Sequence, residues 1–429
     1  MKPAPRVGVV GAGWAGLAAA VELVARGASV TLIEAGPAAG GRARRVPYRG
    51  AALDNGQHIL LGAYRECLAL LRRVGAPAAA LRRLPLAIDY PGGPRLAAPR
   101  LPAPLHLAAA LAGARGLGVA DRLAALRLGL AVRRAESAAR AGETVAAFLD
   151  RLRQPEAVRR LLWEPLCVAA LNTPASRADA AVFSRVLRDA LLRRRGDSDF
   201  LVPATDLSAL LPDPAIAWLG ERGAAIRVGE RVLAIGPEGG GWRVRTARGE
   251  TVHDAVVLAA APHEAAALLA PLPATARLAE ALHALAHEPI TTVYLQYDAR
   301  VPLPGPMVAL EGAHAQWLFD RDRLGGVPGL VAAVVSASSA EAALDQEILA
   351  TRIHREIERV TGPLPPPNWT KVITEKRATF ACVPGARRPP CETGLAGLVL
   401  AGDYTEGPYP ATLEAAVASG LRAARALTP

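Results

Sequence analysis

Arg6-Val7-Gly8-Val9-Val10-Gly11-Ala12-Gly13-Trp14-Ala15-Gly16 decides how the rest of the chain is read. A β-branched run ends at Val10, a glycine-spaced turn follows, and Leu17 to Arg26 carries the apolar spacing of a helix. A second apolar run, Ala28 to Ile33, then stops at Glu34. Strand, glycine turn, helix, strand and acid in that order predict a βαβ unit that holds a dinucleotide. Gly11 permits the tight turn, Gly13 lets backbone amides approach a phosphate, and Gly16 lets the helix pack closely on the strand. The helix N-terminus, at Trp14 and Ala15, adds partial positive charge toward the phosphates. Glu34, with Ala35 beside it, ends the second strand where a carboxylate accepts hydrogen bonds from ribose hydroxyls and disfavours a 2′-phosphate.

With 429 residues the chain is too long for one compact core and fits two domains, or one domain carrying an insertion. A hydrophobic content of 51% against 21% charge excludes global disorder. Aromatics supply only 4% while Leu and Ala dominate, which suits helices packed on a buried sheet. The net charge of +11 is almost all arginine, since the only lysines are Lys2, Lys371 and Lys376. Such a charge fits an anionic membrane surface or a phosphorylated ligand. No nucleic-acid partner is expected, because no stretch interleaves basic residues with exposed aromatics. Cys67, Cys167, Cys382 and Cys391 form no C-x-x-C pair and no zinc-ligand spacing, so no metal is expected and a reducing compartment is the simplest reading. Glu22 interrupts the N-terminal apolar run, against a signal peptide. No run of about 18 uncharged apolar residues suggests a spanning helix. A soluble or peripheral protein is expected, cytoplasmic and at most lying on the inner face of the cell membrane.

A second glycine pair follows closely, Gly40-Gly41-Arg42-Ala43-Arg44, offering further amides and guanidinium donors for a long cofactor with two phosphates. Together with the first turn and Glu34, this loop resembles the FAD-binding opening of the amine oxidase and phytoene desaturase superfamily. The C-terminal stretch agrees: Leu398 to Ala401 reads as a buried strand, followed by Gly402-Asp403 and by Ala411-Thr412-Leu413, which opens a last helix. The resemblance implies an FAD cofactor, with Asp403 on its ribitol chain and the helix N-terminus near the pyrimidine end of the flavin, where the reduced ring carries negative charge. Arg231 to Ile235, Trp242 to Thr246 and Asp254 to Ala259 read as strands of a sheet resuming after an insertion. The resemblance puts a backbone in the first of them against adenine, which selects Val232; taken alone, Val232 is an ordinary core valine.

Between about residues 80 and 204 the pattern turns helical, with breaks near Pro102, Gly116 and Gly142. The expected architecture is α/β: a discontinuous Rossmann-like FAD-binding domain (1–80, 205–275, 380–429) and an inserted substrate domain of mixed sheet plus helices (81–204, 276–379). Pro99 to Arg134 is both apolar and arginine-rich. It reads equally as a peripheral membrane contact and as an amphipathic helix pair packed inside the protein.

Trp163-Glu164-Pro165-Leu166-Cys167-Val168-Ala169-Ala170-Leu171-Asn172-Thr173-Pro174, Asp197 to Pro203, and Leu53-Asp54-Asn55-Gly56-Gln57-His58 narrow the likeness. Over nearly the whole chain the sequence is similar to the hydroxysqualene dehydroxylase family. That resemblance implies conversion of hydroxysqualene to squalene in hopanoid synthesis, on a lipophilic isoprenoid substrate and with an electron donor that leaves no trace in the sequence. Replacing an allylic hydroxyl by hydrogen needs a two-electron donor, which FADH2 provides, and a proton for the departing oxygen. The candidates for that proton are His58, which the resemblance sets beside the flavin, and Tyr404, Glu406 and Tyr409 after Gly402-Asp403. Each has a structural reading too: His58 as a hydrogen-bond partner of cofactor or backbone, the other three as parts of a turn that orders the last helix. Asp54 reads as a loop-orienting residue. Three other functions compete. A flavin amine oxidase is disfavoured by the absence of lysine between Lys2 and Lys371 and by Thr412 at an aromatic position. A phytoene-type carotenoid desaturase differs mainly in the direction of electron flow, and the last is a non-catalytic flavin-containing lipid carrier.

Overall fold

The computed structural model describes residues 4–134 and 138–427. Five parallel strands form the first sheet, in the order Ala225–Val228, Ser29–Glu34, Arg6–Val10, Ala255–Leu258, Leu398–Leu400. Its strands are short and almost continuously apolar, as a parallel sheet covered on both faces requires. The helices Trp14–Ala25 and Leu413–Leu427 pack on one another beside it. They touch at Gly420, where any side chain would collide with the Ala15 carbonyl.

The strand that resumes the sheet after the insertion is Ala225–Val228, paired on Ser29–Glu34. It is not the run that starts at Arg231. Val232–Glu238, Gly241–Thr246 and Gly249–His253 instead make a separate antiparallel sheet, and only Ala255–Leu258 returns to the parallel one. The expected grouping fails here for a physical reason. The central run, Gly241–Thr246, alternates buried and exposed residues, the signature of a one-sided meander, whereas Ala225–Val228 is a short, half-exposed edge with little apolar signal.

A second five-stranded sheet, antiparallel throughout, runs Met307–Ala309, Trp317–Asp320, Leu330–Ser336, His287–Gln296, Trp369–Phe380. Val293, Leu295 and Val335 on one face join a core with Leu349 and Ile353 of the helix Gln346–Thr361. Tyr294, Ala332 and Val334 on the other face join the core of the inserted helices. This alternation fixes the register, because a one-residue slip would exchange the two faces.

The segment expected to be helical contains the helices Leu105–Ala112, Val119–Arg134, Val145–Arg151, Glu164–Leu171 and Ala180–Leu187. It also holds strands that the helical pattern hides. Phe200–Pro203 lies between Leu60–Leu61 and Leu81–Leu84 in a small antiparallel sheet, so the boundaries expected at 80 and 204 both fall on that sheet. Two π-helical turns, Arg159–Trp163 and Arg188–Leu192, adjoin the helices that follow and precede them. Among the described residues no helix is long and apolar enough to cross a membrane.

Candidate active site

The first glycine turn is held from both ends. Gly11 has φ +100°, and a Cβ there would stand 2.6 Å from the Ala259 carbonyl oxygen. At Gly16 a Cβ would run into the carbonyl of Gly11 itself. Glu34 takes the Ala12 N–H on Oε2 and the Gly36 N–H on Oε1, each at 2.7 Å, which fixes its carboxylate across the mouth of the turn with lone pairs to spare. Ala35, next to it, is exposed. The helix begins at Gly13 with no side chain capping it, so its first amides keep their donors for an outside acceptor. Trp14 and Ala15 are buried, and the Trp14 indole N–H donates to the Ala43 carbonyl, tying the helix start to the second glycine loop. A Cβ on Gly13 would meet only the Gly41 Cα, at 3.9 Å, leaving a cradle bounded by backbone. Uncapped amides at the turn and a carboxylate held across its mouth are the donors and acceptor that fit an adenine dinucleotide of the FAD type.

Arg42, on the second loop, joins the two ends of the chain. Its guanidinium donates to Asp403 Oδ1 (2.6 Å) and to the Ala378 carbonyl. Asp403 is buried, and Gly402 just before it donates its N–H to Ser419 in the last helix. Asn55 Nδ2 donates to the Arg42 carbonyl (3.1 Å) and to Glu375 Oε2 (3.2 Å). Gly56 has φ +122°, the Gln57 N–H meets Thr292 Oγ1, and Gln57 Oε1 accepts from the buried Arg321. Residues from the N-terminal loops, the antiparallel sheet and the C-terminus thus converge on one cluster.

The segment leading into Val232 lies against the end of the second strand, where the Glu230 N–H donates to the Glu34 carbonyl and the Gly229 N–H to the Gly36 carbonyl. At the other end, Ala411 and Leu413 are partly buried. Thr412 Oγ1 accepts from the Ala415 N–H, so it caps the last helix and uses one of its amides. Glu414 turns away from this end: its carboxylate accepts the N–H groups of Glu66 and Cys67 and caps the helix Arg65–Arg73.

The four proton-donor candidates separate. His58 Nδ1 lies 2.7 Å from the Gly56 carbonyl, and burial, aided by the charge of Arg42, holds the imidazole pKa below its usual value. This favours the neutral ring, with Nδ1–H donating to that carbonyl and Nε2 left as an acceptor. Tyr404 is buried and its hydroxyl donates to the Ala260 carbonyl, with burial pushing the phenol pKa far up. Glu406 is exposed, on the outside of the turn, which places its carboxyl in water rather than in a dry pocket. Tyr409 donates to Asp189 Oδ2 at 2.9 Å; burial and that carboxylate push its pKa up to about 12. Asp189 lies in the π-helical turn Arg188–Leu192, between residues that line the cavity described next.

That cavity, about 220 Å³, lies within the inserted helices. Leu111, Leu128, Leu162, Trp163, Leu187 and Leu191 are among its lining residues, and among the described residues Arg133 is the one charged side chain on it. Both π-helical turns contribute: Leu162 and Trp163 from one, Leu191 and Leu192 from the other. The Trp163 indole N–H donates to Gln154 Oε1, and Gln154 in turn donates to the Ala124 carbonyl, so the ring is held in one orientation. Asn172, left-handed at φ 47°, ends the following helix and sends its side chain to Thr379, to the Glu288 carbonyl and, as acceptor, to the Ala337 N–H. It fastens the insertion to the antiparallel sheet.

Sequence reasoning missed Arg321, Glu375, Asp189 and Gln154. Arg321, Glu375 and Asp189 act through partners far along the chain, and Gln154 through Trp163 and Ala124 on neighbouring helical segments, where no motif marks it. Asp54 does orient its loop: its carboxylate accepts the Leu207 N–H at 2.7 Å, and its carbonyl accepts the Tyr294 hydroxyl at 3.0 Å. Burial lifts the Asp54 carboxyl to about 7.

Comparison with known proteins agrees with this geometry. The family described as flavin containing amine oxidoreductase matches residues 14–428. The hydroxysqualene dehydroxylase of Rhodopseudomonas palustris is 31% identical over 97% of both chains, and that of Zymomonas mobilis 29% over 97% of both. An oxidoreductase from Methanosarcina mazei has the same fold, with a TM-score of 0.77 at 17% identity over 98% of this chain and all of that one. The chain is an FAD-dependent oxidoreductase that belongs to the flavin-containing amine oxidoreductases and, within them, to the hydroxysqualene dehydroxylase family.

Proposed function

We propose that the chain removes the hydroxyl group of hydroxysqualene reductively, giving squalene and water, as a step of hopanoid synthesis. The observation that carries this reading is the apolar cavity within the inserted helices, in a chain alike over 97% of its length to the Rhodopseudomonas palustris hydroxysqualene dehydroxylase. A cavity walled by leucines and one fixed indole suits a long hydrocarbon, and among the described residues no acidic side chain lines it to recognise an amine. Bound reduced FAD supplies the two electrons and the hydrogen that replace the hydroxyl, while a second proton lets the oxygen leave as water.

In this reading Gly11, Gly13, Gly16, Gly41 and the helix start at Trp14 and Ala15 hold the diphosphate, and Glu34 with Ala35 and the Val232 backbone hold the adenosine. Arg42, Asn55, Gly56, Gln57, Gly402, Asp403, Ala411, Thr412 and Leu413 surround the flavin end. Tyr409 is the proton donor we favour. It stays protonated through the neutral range, and its hydroxyl is held by Asp189, which the cavity-lining Leu187 and Leu191 flank along the chain. His58 instead positions the cofactor through Gly56 and leaves Nε2 as an acceptor.

The test reduces the purified enzyme chemically without oxygen and adds hydroxysqualene or phytoene, following flavin absorbance and identifying products by mass spectrometry. Reoxidation with loss of the hydroxyl from hydroxysqualene is expected, and Tyr409→Phe should slow it ~10²-fold or more while leaving bound flavin in place. Desaturation of phytoene by the oxidised enzyme, with no dehydroxylation by the reduced one, would overturn the reading in favour of a carotenoid-type desaturase.

A further inference from the structure

The helix Val119–Arg134 carries large apolar residues on both sides. Ala124, Ala125, Leu128 and Val132 are buried, as the inner face of a surface helix should be. The opposite stripe, which water should make polar, reads Val119, Leu123, Arg127, Leu130 and Arg134, at spacings of four, four, three and four. Val119 is 72% exposed, Leu123 49% and Leu130 48%. The helix before it, Leu105–Ala112, has no charged residue, and its one polar side chain, His106, is fully buried against Ser198. Leu105 is 58% exposed and Leu101, just ahead of it, 41%. Five of the nine large apolar residues that stand exposed among the described residues therefore fall within 101–130.

Three further observations say what covers this face. Around it the charge is one-sided: residues 99–134 contain six arginines against one acid, Asp121. The hairpin is also rigid, because Arg122 donates to the carbonyls of Ala112, Ala114 and Leu117 and clamps the turn between the two helices. Finally, the cavity opens here. Leu107, Leu126 and Leu130 line it, and Leu130 is at once a wall residue and half in solvent.

We propose that the helix pair Leu105–Ala112 and Val119–Arg134 is a membrane-docking lip, which sinks its leucines and Val119 into one anionic leaflet so that a lipid-dissolved substrate enters the cavity sideways without crossing water. The arginines on the same face meet the headgroups while their stems lie along the acyl boundary. The entry route rests on the lipophilic-substrate reading above; the docking itself does not, and its test uses no substrate.

Flotation of the purified holoprotein with phosphatidylcholine vesicles, with and without phosphatidylglycerol, reads it directly. The wild type should float with the anionic vesicles, less so at high salt. Leu105→Asp, Val119→Asp and Leu123→Glu together should lower the vesicle-bound fraction at least ~10-fold while flavin content and turnover of detergent-dispersed substrate stay unchanged. Should the triple variant fold poorly, an environment-sensitive dye on Leu123→Cys serves instead, and its emission should shift to the blue when anionic vesicles are added. A wild type left at the bottom of the gradient at low salt, or a triple variant that floats equally well, would sink the proposal. So would a dye that does not respond, or a wild-type dimer that the three substitutions split and that ignores vesicles, since the face would then be an interface between copies.

Discussion

The cofactor end and the inserted helices solve opposite problems with opposite materials. At the cofactor end the working groups are backbone atoms: the uncapped amides after Gly13, the carbonyls that crowd Gly11 and Gly16, and the Ala12 and Gly36 amides on Glu34. In the insertion they are bulk hydrocarbon, and the polar bonds found there, such as Trp163 to Gln154 or Asn172 to Thr379, serve to hold the walls. Backbone recognition tolerates few residue types at a position, whereas a greasy wall accepts any side chain of the right volume. One region is therefore rigid in sequence, and the other only in composition.

Substitutions can press on this contrast from either side. The largest effect belongs to Gly16→Val, whose Cβ would run into the Gly11 carbonyl. The protein should purify without flavin and lose more than ~4 kcal/mol of stability, measured by absorbance and thermal unfolding. A yellow, stable Gly16→Val protein would show that the turn is not the backbone device described.

Asp54→Asn probes the joint between the cofactor loops and the rest. With its pKa lifted by burial from near 4 to about 7, Asp54 favours folding only while protonated in both states. As pH rises past the unfolded pKa, the unfolded chain ionises first, so this group's contribution falls up to about pH 7 and is flat beyond, a change of up to roughly 4 kcal/mol. Asn keeps an acceptor for the Leu207 N–H and does not titrate, so the variant should be more stable than wild type at pH 8 and nearly equal at pH 4. Parallel denaturation curves for the two proteins across that range would refute this account.

The mildest change tests the insertion. Gly129 sits inside the helix Val119–Arg134 with no atom within 4 Å of where its Cβ would be, and it lines the cavity. Gly129→Leu should raise stability by about 1 kcal/mol, since glycine weakens a helix interior, and should cut turnover of a long substrate ~10-fold by filling space. Flavin content should not change. Loss of flavin instead would mean that the two regions are not separable.

The same contrast explains what the sequence made legible. The first βαβ unit, Glu34 and the last strand and helix could be read because their geometry demands particular residues in fixed order. The Ala225–Val228 strand could not, since a half-exposed edge of four residues carries no pattern, and the meander after Arg231 drew the assignment instead. Phe200–Pro203 was likewise hidden in a stretch read as helical. Of the proton-donor shortlist, residue type alone could not show that Glu406 faces water or that Tyr404 is tied to Ala260, because both facts depend on chain segments far away. The Tyr409–Asp189 pair joins residues 220 apart, and only the folded chain reveals it.

The two π-helical turns that wall the cavity have a consequence for how this protein can change. Each holds one residue more than an α-turn of the same helix, so a single-codon deletion there can be absorbed by tightening the turn, with the helices on either side kept in phase. Deletion elsewhere in those helices would rotate every later side chain off its face. The chamber can thus be resized by small changes in gene length at two tolerant spots, a route to new chain-length preferences that leaves the yellow end of the enzyme untouched.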